Sequence, residues 1–230
     1  ERGFIPMPWL DTPTAMLPMG MFYPDNTAFD GDPRHALHRV LERYTQHHLT
    51  PVSAIEMEFY LIDTSGPAPQ IPCVPGTTYR HAVADTLSIS ALDDFDGFLT
   101  DLYAACKAMD IPADAAISES GVGQFEINLL HCDDALRTAD NAWLFKIAAK
   151  GVARKHGFTA SFMAKPYPDS AGSGMHSHFS VLDAEGRNIF DDGSPNGSET
   201  LRHAVAGWPA AKACLLYTSP SPTNRTRTHT

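Results

Sequence analysis

The chain has 230 residues, 43% of them apolar, and 17 lysines and arginines against 27 aspartates and glutamates give a formal charge of −10. That length and apolar share suit one buried core, while the acidic balance argues against a nucleic-acid partner, because neutralising phosphates supplies most of such affinity. No run approaches the roughly 20 apolar residues of a membrane helix, and the opening Glu1-Arg2-Gly3-Phe4-Ile5-Pro6 has neither the basic start nor the apolar stretch of a secretory signal.

No membrane partner is therefore expected. The chain does not open on methionine, so its true beginning is expected upstream. Cys73, Cys106, Cys132 and Cys214 are scattered with no C-x-x-C pair, which points to a reducing cytoplasm and to small core residues rather than reagents.

Along the chain, Thr14 to Tyr23 reads as extended and the stretch from Pro24 to Gly31 as a turn-rich link, together the end of a preceding β unit. Asp32-Pro33 reads as a helix start, since Asp caps free amides and Pro tolerates the first turn. Leu37, Val40, Leu41 and Tyr44 form that helix's apolar stripe. Apolar and polar residues then alternate from Ala54 to Leu61, the period of a strand, with Glu56 and Glu58 in the polar row. Such a pair lies roughly 6 to 7 Å apart, and like charges there cost stability unless a cation answers them.

Ser65 to Gly76 is a Pro- and Gly-rich loop. Helical spacing returns with Phe95, Phe98, Leu99, Leu102, Tyr103 and Cys106, and Asp93, Asp94 and Asp96 suit its positive end. Glu119 precedes a turn through Gly121 and Gly123, after which Gln124, Glu126 and Asn128 form a second polar strand row. A helix is predicted from about Asp134 to His156 with Trp143, Leu144, Ile147, Ala148 and Val152 as its stripe, stopped by Gly157. Thr159 to Met163 reads as a strand. A third alternating run follows Gly172-Ser173-Gly174, with His176, His178 and Ser180 in its polar row, and Asp183-Ala184-Glu185-Gly186 reads as a hairpin turn. Another helix begins at Ser198. From about Trp208 the character changes, and Tyr217 to Thr230 has no periodicity able to bury a core.

Half-buried strands present polar rows to water as a matter of course. Two acidic rows and a His-x-His row together point further, to one sheet face gathering carboxylates and imidazoles over a shared cleft. Glutamates suit Mg²⁺, and an added imidazole admits Mn²⁺. Zinc fits less well, since neither an H-E-x-x-H helix nor a thiolate set is present. No G-x-x-x-x-G-K-[ST] loop occurs, so a polyphosphate here depends on metals and side chains. A hydrolase using Glu56 and Glu58 as acid and base is a competing reading of the residues, but it leaves the His row and the other glutamates idle.

Glu56-x-Glu58, Glu119-x-x-x-Gly123-Gln124-Phe125-Glu126, and Lys165-Pro166 followed by Gly172-Ser173-Gly174-Met175-His176-x-His178-x-Ser180 together resemble the glutamine synthetase superfamily from about Asp25 to Gly207. The wording Phe162-Met163-Ala164-Lys165-Pro166-Tyr167 with Ala171-Gly172 looks most like its γ-glutamylputrescine synthetase branch. The resemblance implies an α+β fold: a catalytic domain with a curved antiparallel sheet flanked by helices, behind an N-terminal β-grasp domain. It divides the chain into a β-grasp remnant and linker (1–30), a partial catalytic domain (31–214) and a disordered or foreign tail (215–230).

The activity implied is ATP-dependent ligation of glutamate's γ-carboxylate to an amine, putrescine or similar, through γ-glutamyl phosphate. By motif position, Glu58, Glu119 and Glu126 would hold one Mg²⁺ or Mn²⁺, and Glu56 and His176 would contribute to a second. His178 and Ser180 would meet the phosphates of ATP, and the Gly172 backbone would approach glutamate. Family members assemble as homo-oligomeric rings. Ala171 stands where glutamine synthetases proper carry Asn, which favours an amine bulkier than ammonia; ammonia, and a non-catalytic metal- and nucleotide-binding role, are the alternatives. The further metal-binding glutamate and the arginines of the family fall beyond this span, so the 230-residue chain alone is expected to turn over poorly.

Overall fold

The computed structural model describes residues 3–207. The change of character from Trp208, Cys214 and the 215–230 tail lie outside the described residues. In chain order the elements are β1 (Ile5–Pro6), β2 (Ala15–Met16), α1 (Pro33–Gln46), β3 (Thr50–Ile62), α2 (Ile89–Asp93), α3 (Asp96–Ala108), β4 (Ala113–Ser118), β5 (Gln124–Leu129), α4 (Ala135–Lys155), β6 (Thr159–Ser161) and β7 (Met175–Leu182). A helical run over 199–207 follows, its first turn capped where Ser198 Oγ accepts from the Leu201 N–H.

The 13-residue β3 is the axis of a five-stranded antiparallel sheet. β5 pairs along one of its edges, with β4 outside β5. Its other edge is shared end to end by β7, opposite residues 50–57, and β6, opposite residues 60–62. Alternation along these strands sorts the side chains. Met57, Phe59 and Leu61 of β3 and Phe125, Ile127 and Leu129 of β5 join one core with Phe98, Leu102 and Cys106 of α3 and Leu144, Phe145, Ala148 and Val152 of α4. Phe59, fully buried, makes ring contacts with Phe98, Phe125, Phe145 and Phe162. The opposite face of the sheet carries the polar rows.

Helix signals read in the sequence recur in three dimensions. Asp32 and Asp134 accept from the Arg34 and Arg137 amides at the starts of α1 and α4, and each such cap is worth about 1 kcal/mol. α4 ends at His156, beyond which Gly157 takes a positive φ of 78°.

Several expectations are corrected. Between Thr14 and Tyr23 only Ala15 and Met16 form a strand. The stripe of α1 covers surface rather than core: none of its residues is buried, and Val40 is exposed. Trp143, assigned to the buried face of α4, is half exposed, because the one-residue step to Leu144 turns it about 100° away from the core. Asp93 closes the short, Ser88-capped α2 instead of opening α3, whose first turn holds only Asp96 among acidic residues. β4 carries no alternating signal, and its pairing with β5 is interrupted by a register shift between Ala113 and Ala116. In β7 Met175 and Phe179 stay exposed, so its apolar row is not buried along its length as expected; Val181 alone of the three is buried.

Candidate functional site

The register of three strands builds the site. Glu56 lies opposite Asn128 on β5 and opposite His176 on β7, so these three form one cross-strand row. The next row pairs Glu58 with Glu126, and the one after pairs Tyr60 with Gln124. Toward the other end of β3, His178 lies opposite Ala54 and Ser180 opposite Val52. Residues opposite each other in a ladder point to the same face. All the predicted strand ligands therefore share one surface.

Glu56, Glu126 and His176 each offer one ligand atom within 4.8 Å of the others. His176 Nδ1 is 3.2 Å from Glu56 Oε2 and 4.0 Å from Glu126 Oε2, and His178 Nε2 is 2.8 Å from Glu56 Oε1. Burial pushes the Glu56 carboxyl up, but the two histidines outweigh it and hold the group below its ordinary range. Glu126 goes the other way. Its burial, and then the charges of Glu56, Glu119 and Glu58, raise it, with only His176 opposing. Glu119, just past β4, is thus coupled to the cluster by charge; its N–H donates to the Gln124 carbonyl at 2.9 Å.

A second layer holds the glycine loop against the sheet. Buried Gln124 donates from Nε2 to Glu58 Oε2 at 2.8 Å and to the Gly172 carbonyl at 3.0 Å, while its Oε1 accepts from the Gly121 N–H. Tyr60 Oη donates to the Ala171 carbonyl at 2.7 Å. The loop is seated closely enough to demand glycine at Gly172, where a Cβ would lie 2.8 Å from the backbone carbonyl oxygen of Ala164.

Of the predicted residues, the fold brings Glu56, Glu126, His176 and His178 into contact and sets Glu58 directly opposite Glu126. Gly172 joins them through Gln124. Ser180 shares the face but sits four residues from His176, roughly 13 Å along the strand. Sequence reading gave no role to Gln124 or Asn128, although both stand in the polar row, nor to Tyr60, which has the same parity as Glu56 and Glu58. His131 had no signal; its ring centroid is 6.3 Å from that of His178.

Buried and half-buried carboxylates with an imidazole form a hard donor set, suited to Mg²⁺ or Mn²⁺. The unpartnered, buried Asn128 Oδ1, and a Glu126 carboxyl raised by burial and by the neighbouring carboxylates, are both answered by a cation at this face. The residues present fit a divalent ion.

Comparison with known proteins agrees with the geometry. Residues 30–229 match the family model described as glutamine synthetase, catalytic domain. γ-Glutamylputrescine synthetase PuuA of Escherichia coli is 38% identical over 217 residues, covering 90% of this chain and 46% of that protein. Glutamine synthetase of Thermotoga maritima is 32% identical over 222 residues, 95% of this chain and 49% of that one. The chain spans about half the length of the curated relatives it matches. Among solved structures, a novel glutamine synthase homolog superposes with a TM-score of 0.73 at 25% identity, and a GmaS/ADP complex with 0.70 at 29%, each over 85% of this chain and 44% of the other. Three motif-bearing strands on one sheet face and a family match across most of the sequence lead to one conclusion: this chain belongs to the glutamine synthetase family, within its catalytic domain.

Proposed function

We propose that the protein to which this chain belongs is an ATP-dependent ligase joining the γ-carboxylate of glutamate to an amine, putrescine or a similar alkylamine, through γ-glutamyl phosphate. The observation that carries this reading is the convergence of Glu56, Glu126 and His176 on one sheet face beside the Gly172 loop. Glu58, Glu119 and Glu126 hold one Mg²⁺ or Mn²⁺, and Glu56 and His176 contribute to a second. Glu126, whose carboxylate reaches toward His176, stands between the two sets. Bound there, such ions supply the positive charge that offsets a transferring phosphoryl group.

The remaining roles belong to the chain's own atoms. His178 and Ser180 meet the phosphates of ATP, and the Gly172 backbone receives glutamate, in a position held by Gln124. An alkylamine acceptor is favoured over ammonia by Ala171 and by the 38% identity to the E. coli γ-glutamylputrescine synthetase. A homo-oligomeric ring with sites between neighbours is the assembly this reading carries. A cytoplasmic setting is in keeping with the free thiols of Cys73, Cys106 and Cys132.

The test is mass-spectrometric detection of γ-glutamyl amides by the complete protein with glutamate, ATP and Mn²⁺, offered putrescine, monoamines and ammonia in parallel. A γ-glutamyl alkylamide is the expected product, and Glu126→Ala should lower its formation at least a hundredfold, the scale of losing one electrostatic element of a site. Product with ammonia alone would overturn the acceptor; an unimpaired Glu126→Ala would overturn the site.

A further inference from the structure

Among the described residues, four buried side-chain atoms lack a hydrogen-bond partner: Trp9 Nε1, Asn128 Oδ1, Tyr167 Oη and Ser173 Oγ. Only Asn128 stands in the same cross-strand row as the cation ligands. Glu56 has His176 directly opposite on one side and Asn128 directly opposite on the other. Opposed residues in an antiparallel ladder have Cβ atoms about 4.5 to 5.5 Å apart, so the carboxamide and the Glu56 carboxylate are close neighbours.

The Glu56 carboxylate is already served on its β7 side. Oε2 meets His176 Nδ1 and Oε1 meets His178 Nε2, and both histidines come from the edge away from β5. On the β5 side the neighbouring acceptor, Asn128 Oδ1, meets no donor. An acceptor buried next to a carboxylate and left unanswered is destabilising, and a bound ion or water is among the partners that account for such groups in native structures. A divalent cation answers both oxygens at once.

We propose that Asn128 Oδ1 is a direct, neutral oxygen ligand of the divalent cation held by Glu56 and His176. The inference rests on reading this face as a metal centre. An uncharged oxygen adds a donor without adding to the negative charge that Glu56, Glu58 and Glu126 already bring to these rows. Carbonyl oxygens of this kind suit Mg²⁺ and Mn²⁺ and are poor partners for softer metals. Asn128 also lies two residues from Glu126, so one strand delivers the ligand of each neighbouring row.

The experiment is a Mn²⁺ titration of the complete protein, followed by electron paramagnetic resonance of free Mn²⁺ and by calorimetry, without substrates. Wild type is compared with Asn128→Leu, which keeps the volume and removes the oxygen, and with Asn128→Asp, which keeps the oxygen and adds charge. The expected result is about tenfold weaker binding at one site in Asn128→Leu, the lower end of what disturbing a ligand shell costs, with the other site unchanged and Asn128→Asp at least as tight as wild type. Circular dichroism melts identify a variant that fails to fold, and Asn128→Ala, which also lacks the oxygen, then replaces it. Equal Mn²⁺ affinity at every site in wild type and Asn128→Leu overturns the inference while leaving the metal centre standing. No Mn²⁺ binding by wild type overturns the metal centre itself.

Discussion

Glu126 shows how one residue can be costly to the bare fold and necessary to its site. It is 6% exposed, sits directly across the ladder from Glu58, and is surrounded by Glu56 and Glu119 as well. Its folded carboxyl is raised, so the stability it contributes is full below its unfolded value near pH 4.5 and is lost as pH rises through the folded one. Glu56 has the opposite sign: held low, it contributes above its unfolded value and loses that contribution as pH falls. At pH 7 with a chelator present, Glu126→Gln should therefore be the more stable form, by up to about 1 kcal/mol for relief of opposed like charges, or roughly 2 to 4 °C in melting temperature. The gain should shrink toward pH 4, and excess Mn²⁺ should reverse the order by stabilising only the protein that binds it. Melts across pH with and without Mn²⁺ read all three effects. Wild type that melts no lower than Glu126→Gln in chelator would show that the charges are otherwise neutralised.

At the scale of elements, strands with clear alternation and helices with clear caps were legible, and short elements held by distant partners were not. α4 matched its predicted span because Asp134, His156 and Gly157 mark its ends locally. β4 escaped because Ala-Asp-Ala-Ala-Ile-Ser acquires its strand conformation from pairing with β5, across a bulge. The loop after β3 shows the same dependence. Asp63 accepts from Ser65 and pairs with Arg80 at 2.7 Å, drawing 17 residues of loop back onto the strand end. The Ser65 hydroxyl first, and Arg80 next, bring the Asp63 carboxyl down to about 2. A depressed carboxyl contributes above its unfolded value near 3.8 and loses that contribution as pH falls toward 2. Amide exchange of residues 64–80 should accelerate in Asp63→Asn at pH 7 while the core amides of β3 stay protected. Unchanged exchange in that loop would mean that Arg80 and Asp63 do not anchor it.

For the whole molecule, one sheet separates two kinds of chemistry. Its helix-covered face is an aromatic core centred on Phe59, and its other face gathers charge that the core could not tolerate. Phe59→Ala should cost about 3 to 5 kcal/mol in urea unfolding, the range for emptying a phenylalanine site, because four rings pack on that side chain. A loss under about 1 kcal/mol would mean the core collapses to fill the space. From the sequence alone came the identity of β3, β5 and β7, the face their polar residues take, the start of α1 and the end of α4, and the motif resemblance to the glutamine synthetase family, because alternation, capping and motif spacing are local properties of a chain. Only the tertiary structure decided which rows lie side by side. Register between β3, β5 and β7 sets Glu56 between Asn128 and His176, and Glu58 against Glu126; it depends on how the apolar faces of distant segments pack into one core, and a one-residue slip would send every one of these side chains to the other face.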